Sequence, residues 1–163
     1  MLKGTISFVF FLTIIGIMIL SQSFVWSPTT DECKVTKVSK TNGNKSHFFG
    51  LNCMSCHKAG RPGKSCFTIG GSVMDEARGK IHKNPVIKLY TEPKGGGKLV
   101  ATISGDKLGN FYTTESIDFS MGLYPTLIGT PGVAEPIKHM SHPVFRGNCN
   151  SCHGYREEAL GID

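Results

Sequence analysis

Pro85-Val86-Ile87-Lys88-Leu89-Tyr90 is followed by the chain-breaking run Glu92-Pro93-Lys94-Gly95-Gly96-Gly97 and then by Lys98-Leu99-Val100-Ala101-Thr102-Ile103. The outer two segments are rich in apolar and β-branched residues, and Leu99, Ala101 and Ile103 fall on one face at the period of a half-buried strand. With a glycine-rich turn between them they read as a β-hairpin. Working outward, Asp106-Lys107-Leu108-Gly109-Asn110 is a turn leading into Phe111-Tyr112-Thr113, and Thr68 to Asp75 is a strand running into a turn. Short strands joined by Gly and Asp/Asn turns predict a mainly β fold, a small antiparallel β-sandwich.

On either side of this module stands the same pentapeptide pattern. Cys53-Met54-Ser55-Cys56-His57 and Cys149-Asn150-Ser151-Cys152-His153 are both C-x-x-C-H, the attachment pattern of haem c. Cysteines at i and i+3 lie on one side of a helical turn, so each can add to a different vinyl group of the haem. The histidine at i+4 then reaches the iron as its proximal ligand. The expected cofactors are two covalently bound haem c groups, held by Cys53, Cys56 and His57 and by Cys149, Cys152 and His153. The module's flanks are expected to be short helical or irregular haem-binding segments. A zinc site made from the four cysteines is the competing reading, but it leaves both histidines unexplained. A thioredoxin-like redox motif is expected beside a βαβ pattern, and none is visible.

The N-terminus carries Lys3, an apolar stretch from Ile6 to Leu20 broken only by Ser7, Thr13 and Gly16, and then Ser21-Gln22-Ser23. Basic, apolar and small residues in that order are a secretory signal, with cleavage expected after Ser23. An uncleaved anchor running on through Phe24, Val25 and Trp26 is the alternative, and the only membrane contact expected. The expected organisation is a signal peptide at 1–23, an N-terminal segment with the first haem motif at 24–66, the β-sandwich at 67–119, and a loop and C-terminal segment with the second motif at 120–163. Export to the periplasm or the cell exterior suits the cysteine count. Of six cysteines, four belong to the motifs, leaving Cys33 and Cys66 as the expected disulfide of an oxidising compartment.

The formal net charge of +6 would suit a nucleic-acid or anionic partner. Each haem, however, brings two propionates, and cleavage removes Lys3. The holoprotein is then close to neutral, and no nucleic-acid partner is expected.

The order Gly71-x-Val73, Pro85 to Tyr90, Leu99-Val100-Ala101-Thr102 and Asp106-x-x-Gly109-Asn110-Phe111-Tyr112 resembles the carboxypeptidase regulatory-like, transthyretin-like β-sandwich family over roughly residues 67–119. The resemblance implies a seven-stranded scaffold with no catalytic residues to carry over. The whole arrangement is similar to small exported dihaem cytochromes c in which such a module lies between two C-x-x-C-H segments. The motif surroundings Asn52 to His57, and Lys138-His139-Met140-Ser141 with Asn148 to Gly154, carry that likeness.

Each iron needs a sixth ligand, and its identity decides between closed electron-transfer centres and an open catalytic or binding site. The histidines left over are His47, His82, His139 and His142. His47 lies six residues before Cys53, close enough to fold back over a haem. His139 lies ten residues before Cys149, in a stretch that Gly122, Gly129, Gly132, Pro125, Pro131 and Pro136 mark as an extended loop. His47 and His139 are the expected distal pair, with His142 the main competitor. Met54 and Met140 are weaker candidates with core packing as their other use, and His82 is expected to be exposed at the module's edge. Phe48, Phe49, Tyr124 and Phe145 either cover the haem faces or complete the sandwich core.

The function that follows is one-electron transfer to redox protein partners, without substrate chemistry and so without an enzyme's active site. One alternative is a homopolymer whose haems continue from subunit to subunit as an extracellular wire. Another is a haem enzyme with an open iron, for which no acid/base cluster is apparent.

Overall fold

In the computed structural model, residues 33–75, 80–129, 137–153 and 161–162 are described. The expected signal peptide lies outside them. The strands are β1 (Ile69–Ser72), β2 (Met74–Asp75), β3 (Val86–Tyr90), β4 (Leu99–Ser104), β5 (Asn110–Thr113), β6 (Tyr124–Ile128), β7 (Ile137–His139), β8 (Gly147–Asn148) and β9 (Gly161–Ile162). Among the described residues they form a three-stranded sheet in the order β5-β1-β8, a four-stranded sheet in the order β4-β3-β6-β7, and a β2-β9 pair. The fold is mainly β with two principal sheets, as expected for a small sandwich.

The hairpin reading of residues 85–104 holds. β3 and β4 pair antiparallel with Ile87 opposite Ile103 and Leu89 opposite Ala101. Side chains alternate across a strand, so Ile87, Leu89 and Ile103 enter one core with Ile69, Val73, Phe111, Phe119, Leu123 and Leu127. Residues of both sheets meet in this cluster, and Leu89 at its centre is fully buried. Complete burial of such a side chain is worth about 1.5–3 kcal/mol.

The β architecture does not end at residue 119. β6 pairs with the whole of β3, Val86 opposite Ile128 through Tyr90 opposite Tyr124, and β7 adds outside it. The glycines and prolines of this stretch suggested a loop, but Thr126 and Leu127 are buried in the sheet. Pro125 is tolerated because its carbonyl still accepts from Met140 N at 3.0 Å, and a proline sacrifices only the donor.

Two pairings position the flanking segments. β1 pairs antiparallel with β5, Ile69 opposite Thr113. On its other side it pairs in parallel with β8, Gly70 opposite Asn148, which carries the chain into Cys149. Cys33 and Cys66 are disulfide-bonded, with Cα atoms 4.8 Å apart, closing a loop that contains the whole first motif. Among the described residues no helix is long and apolar enough to cross a membrane.

Candidate haem-attachment sites

The two C-x-x-C-H segments fold in the same way. Cys53–Ser55 and Cys149–Ser151 are single 3-10 turns whose following cysteines have nearly identical backbone angles, φ −109° with ψ −34° at Cys56 and φ −109° with ψ −31° at Cys152. His57 N donates to Cys53 O at 3.0 Å and His153 N to Cys149 O at 3.0 Å. The middle serines repeat as well, Ser55 Oγ donating to Asn52 O and Ser151 Oγ to Asn148 O, both at 2.7 Å. Each histidine thereby follows its cysteine pair by one turn.

Beside the first motif lies a partly open cavity of about 130 Å³, whose lining includes Cys53, Cys56, His57, His47, Phe48 and Tyr112. The His47 and His57 rings have centroids 5.8 Å apart and planes at 43°. Two imidazoles bonded to one metal at roughly 2.0–2.1 Å each would have centroids about 6 Å apart, so the observed spacing is compatible with both rings serving one metal. The His57 ring stacks on Phe67 at 4.1 Å, and Phe67 stacks on Tyr112 at 4.7 Å. Its Nδ1 lies 3.3 Å from Ser65 Oγ. Such a contact fixes the ring and leaves Nε2 for a metal. Burial, aided by the charge of His47 and Lys37, holds the His57 pKa below the ordinary histidine value, which favours the neutral, ligating form. Lys37 and Lys45 also line the cavity and offer cationic partners for carboxylates.

Strand β1 separates the two motifs. A Cβ on Gly70 would stand 3.2 Å from Cys53 Cβ, and one on Gly71 would stand 3.0 Å from Cys149 Cβ. Adjacent strand residues face opposite sides. Cys53 therefore packs on the outer face of the strand and Cys149 on its core side, where it touches the hydrophobic cluster. The glycine pair is what lets both turns approach the backbone this closely.

A buried polar chain ties the motifs together around the same strand. In the second motif, Asn150 Nδ2 donates to Leu51 O at 2.8 Å and to Ser72 Oγ at 3.2 Å, while Asn150 Oδ1 accepts from Ser72 N at 3.1 Å. Ser72 Oγ accepts from Gly50 N at 2.9 Å and donates to Asn110 Oδ1 at 2.6 Å. Asn110 Nδ2 donates in turn to Ser46 Oγ at 2.9 Å, one residue before His47.

The motif cysteines differ in their surroundings. Cys53, Cys56, Cys149 and Cys152 are free thiols. Burial raises the Cys53 pKa. Burial, reinforced by Cys53, pushes the Cys149 thiol up to about 12. A dithiol redox motif needs the reverse, a thiol whose pKa is lowered so that it attacks as thiolate. Nor do the four sulfurs gather as zinc would require: among the described residues no group of three or more His, Cys, Asp or Glu could hold a metal ion. A haem needs no such group, because the porphyrin supplies the equatorial ligands and the chain only the axial ones.

The other expected site residues are distributed as follows. His153 is half-buried. His139 is exposed on β7, its Nδ1 3.0 Å from Thr126 Oγ1, on a different sheet from the β8 strand that delivers the second motif. His142 is exposed, its Nδ1 2.8 Å from Ser141 Oγ. His82 is half-buried, not exposed as expected, and its backbone N–H donates to Val73 O at 3.1 Å. Phe48 and Phe145 are 72% and 65% exposed, so neither completes the sandwich core. Phe48 instead borders the first cavity.

Sequence reasoning missed Ser65, Phe67, Ser72, Asn110, Tyr112 and Asn150. Two signals could have found some of them. Adjacent glycines inside a strand mark a close backbone approach, and alternation from the inward Phe111 sends Asn110 and Tyr112 to the outer face. Comparisons with protein-family models, curated proteins and solved structures each gave no match to this chain.

Proposed function

We propose that this chain is an exported dihaem c-type cytochrome that carries electrons one at a time. The observation that carries the reading is the duplicated C-x-x-C-H turn together with a cavity beside the first one that both His47 and His57 line. Cys53 and Cys56 would hold one haem by thioether bonds with His57 as proximal ligand and His47 as distal ligand. Cys149, Cys152 and His153 would hold the other, its sixth position falling to His139 or His142. A bound haem c supplies reversible one-electron Fe(III)/Fe(II) chemistry.

The chain's own residues bind, orient and shield. Ser65 fixes the His57 imidazole, Phe67 and Tyr112 form a stacked wall beside it, and Lys37 and Lys45, which line the cavity, would be the cationic partners of haem propionates. The Cys33–Cys66 bond is consistent with an oxidising compartment outside the cytosol. The likeness to cytochromes carrying a transthyretin-like module belongs to the same proposal. A pyridine haemochrome spectrum with intact mass tests it: two covalent haems per chain are expected, and none would overturn it.

A filament of such subunits is the second reading, favoured by exposed Met121 and Phe145 and by β4 and β7 standing at the two ends of their sheet among the described residues. Exposed apolar side chains and open strand edges are contact surfaces. Electron microscopy over a wide concentration range decides it, monodisperse particles throughout being the result against it.

A further inference from the structure

We propose that Asn150 is a positioning residue that locks the second attachment turn to the first, so that the two haems form one fixed pair within a single subunit. The inference rests on the dihaem reading and goes beyond it. That reading requires only the cysteines and histidines, and places no demand on the variable positions of either motif.

Asn150 occupies such a variable position, yet it is 6% exposed and its side chain turns away from its own motif. It bonds Leu51 O, two residues before Cys53, and both the backbone and the hydroxyl of Ser72. Met54, the corresponding residue of the first motif, is half-buried and cannot make this set of bonds. The duplicated turns therefore differ at the one position where they would need to recognise each other. The flanking geometry allows little slack. Gly70 and Gly71 hold Cys53 and Cys149 against neighbouring residues of the same strand, and β8 enters the second turn already paired to β1. A satisfied buried polar network is rigid, and removing one member leaves its partners unpaired. Through Ser72, Asn110 and Ser46 the same network reaches the residue next to His47.

The test uses the full haem-loaded chain and circular dichroism in the Soret region, where two haems held in a fixed mutual orientation give a two-signed band. Wild type should show it. Asn150→Ala should lower its amplitude at least twofold while the pyridine haemochrome still counts two haems. Asn150→Asp keeps the shape and the acceptor for Ser72 N but loses the donor to Leu51 O, and serves if the alanine variant does not fold. The core variant Ile103→Val, far from the clamp in the sequence, should lose stability yet keep the band. An unchanged band in both Asn150 variants, a missing band in wild type that carries two haems, or an equal loss in Ile103→Val each overturns the inference. A wild-type chain with no haem overturns the dihaem reading itself, which the haem count distinguishes.

Discussion

His47 and His57 both line the first cavity, with ring centroids 5.8 Å apart and planes tilted by 43°. The two residues come from opposite sides of the turn at Asn52, and His47 follows Ser46, which Asn110 holds by a 2.9 Å hydrogen bond. If this pair brackets an iron, removing His47 opens one coordination position. Carbon monoxide added to the reduced His47→Ala protein should then shift the Soret band of about half the haem, well above any change in wild type. No difference between the two proteins would remove His47 from the distal role.

Thiol reactivity in the haem-free chain follows burial. Cys56 and Cys152 are exposed, whereas Cys149 has its pKa pushed up to about 12. Only the thiolate is alkylated, so at pH 8 iodoacetamide should label Cys56 and Cys152 first and Cys149 last. Below its pKa the thiolate fraction of Cys149 rises about tenfold per pH unit, so its labelling should accelerate steeply with pH. Peptide mass mapping reads the order, and in the haem-loaded protein the motif cysteines should not label.

Gly71 has no room for a methyl group. Its Cβ would stand 3.0 Å from Cys149 Cβ and even closer to the Phe111 ring, in a strand whose other neighbours are buried. Gly71→Ala should cost about 1–3 kcal/mol, the usual penalty for overpacking a core. Gly70→Ala, with 3.2 Å to Cys53 Cβ, should cost less. Urea unfolding midpoints compare the two.

The Cys33–Cys66 bond closes a loop with a sequence separation of 33. On the chain-entropy account, a loop of that size contributes about 3–4 kcal/mol. The Cys33→Ser, Cys66→Ser double variant should lose stability of that order in urea unfolding. Because the loop contains His47 and the first motif, the proposed haem there should also become more accessible to CO in this variant.

The local parts of this architecture were legible from the residues. Apolar alternation identified the β3-β4 hairpin, and C-x-x-C-H spacing identified the two turns, because both are properties of a few consecutive residues. The strands β6 and β7 were not, because their glycines and prolines resemble loop chemistry until β3 supplies a partner for the backbone. Exposed Phe48 and Phe145 could not be separated from core aromatics by composition, since only the packed sheets show which aromatics are left outside.

The sequence by itself determined where the two C-x-x-C-H patterns stand and that each closes as a short turn, since such bonds join residues within five positions of one another. Only the tertiary structure decided how the turns stand to one another. Asn150 and Leu51 are 99 positions apart, and nothing in the spacing of residues announces a contact over that range. It exists because β8 pairs in parallel with β1, and because two glycines without side chains let both motifs rest on the same strand.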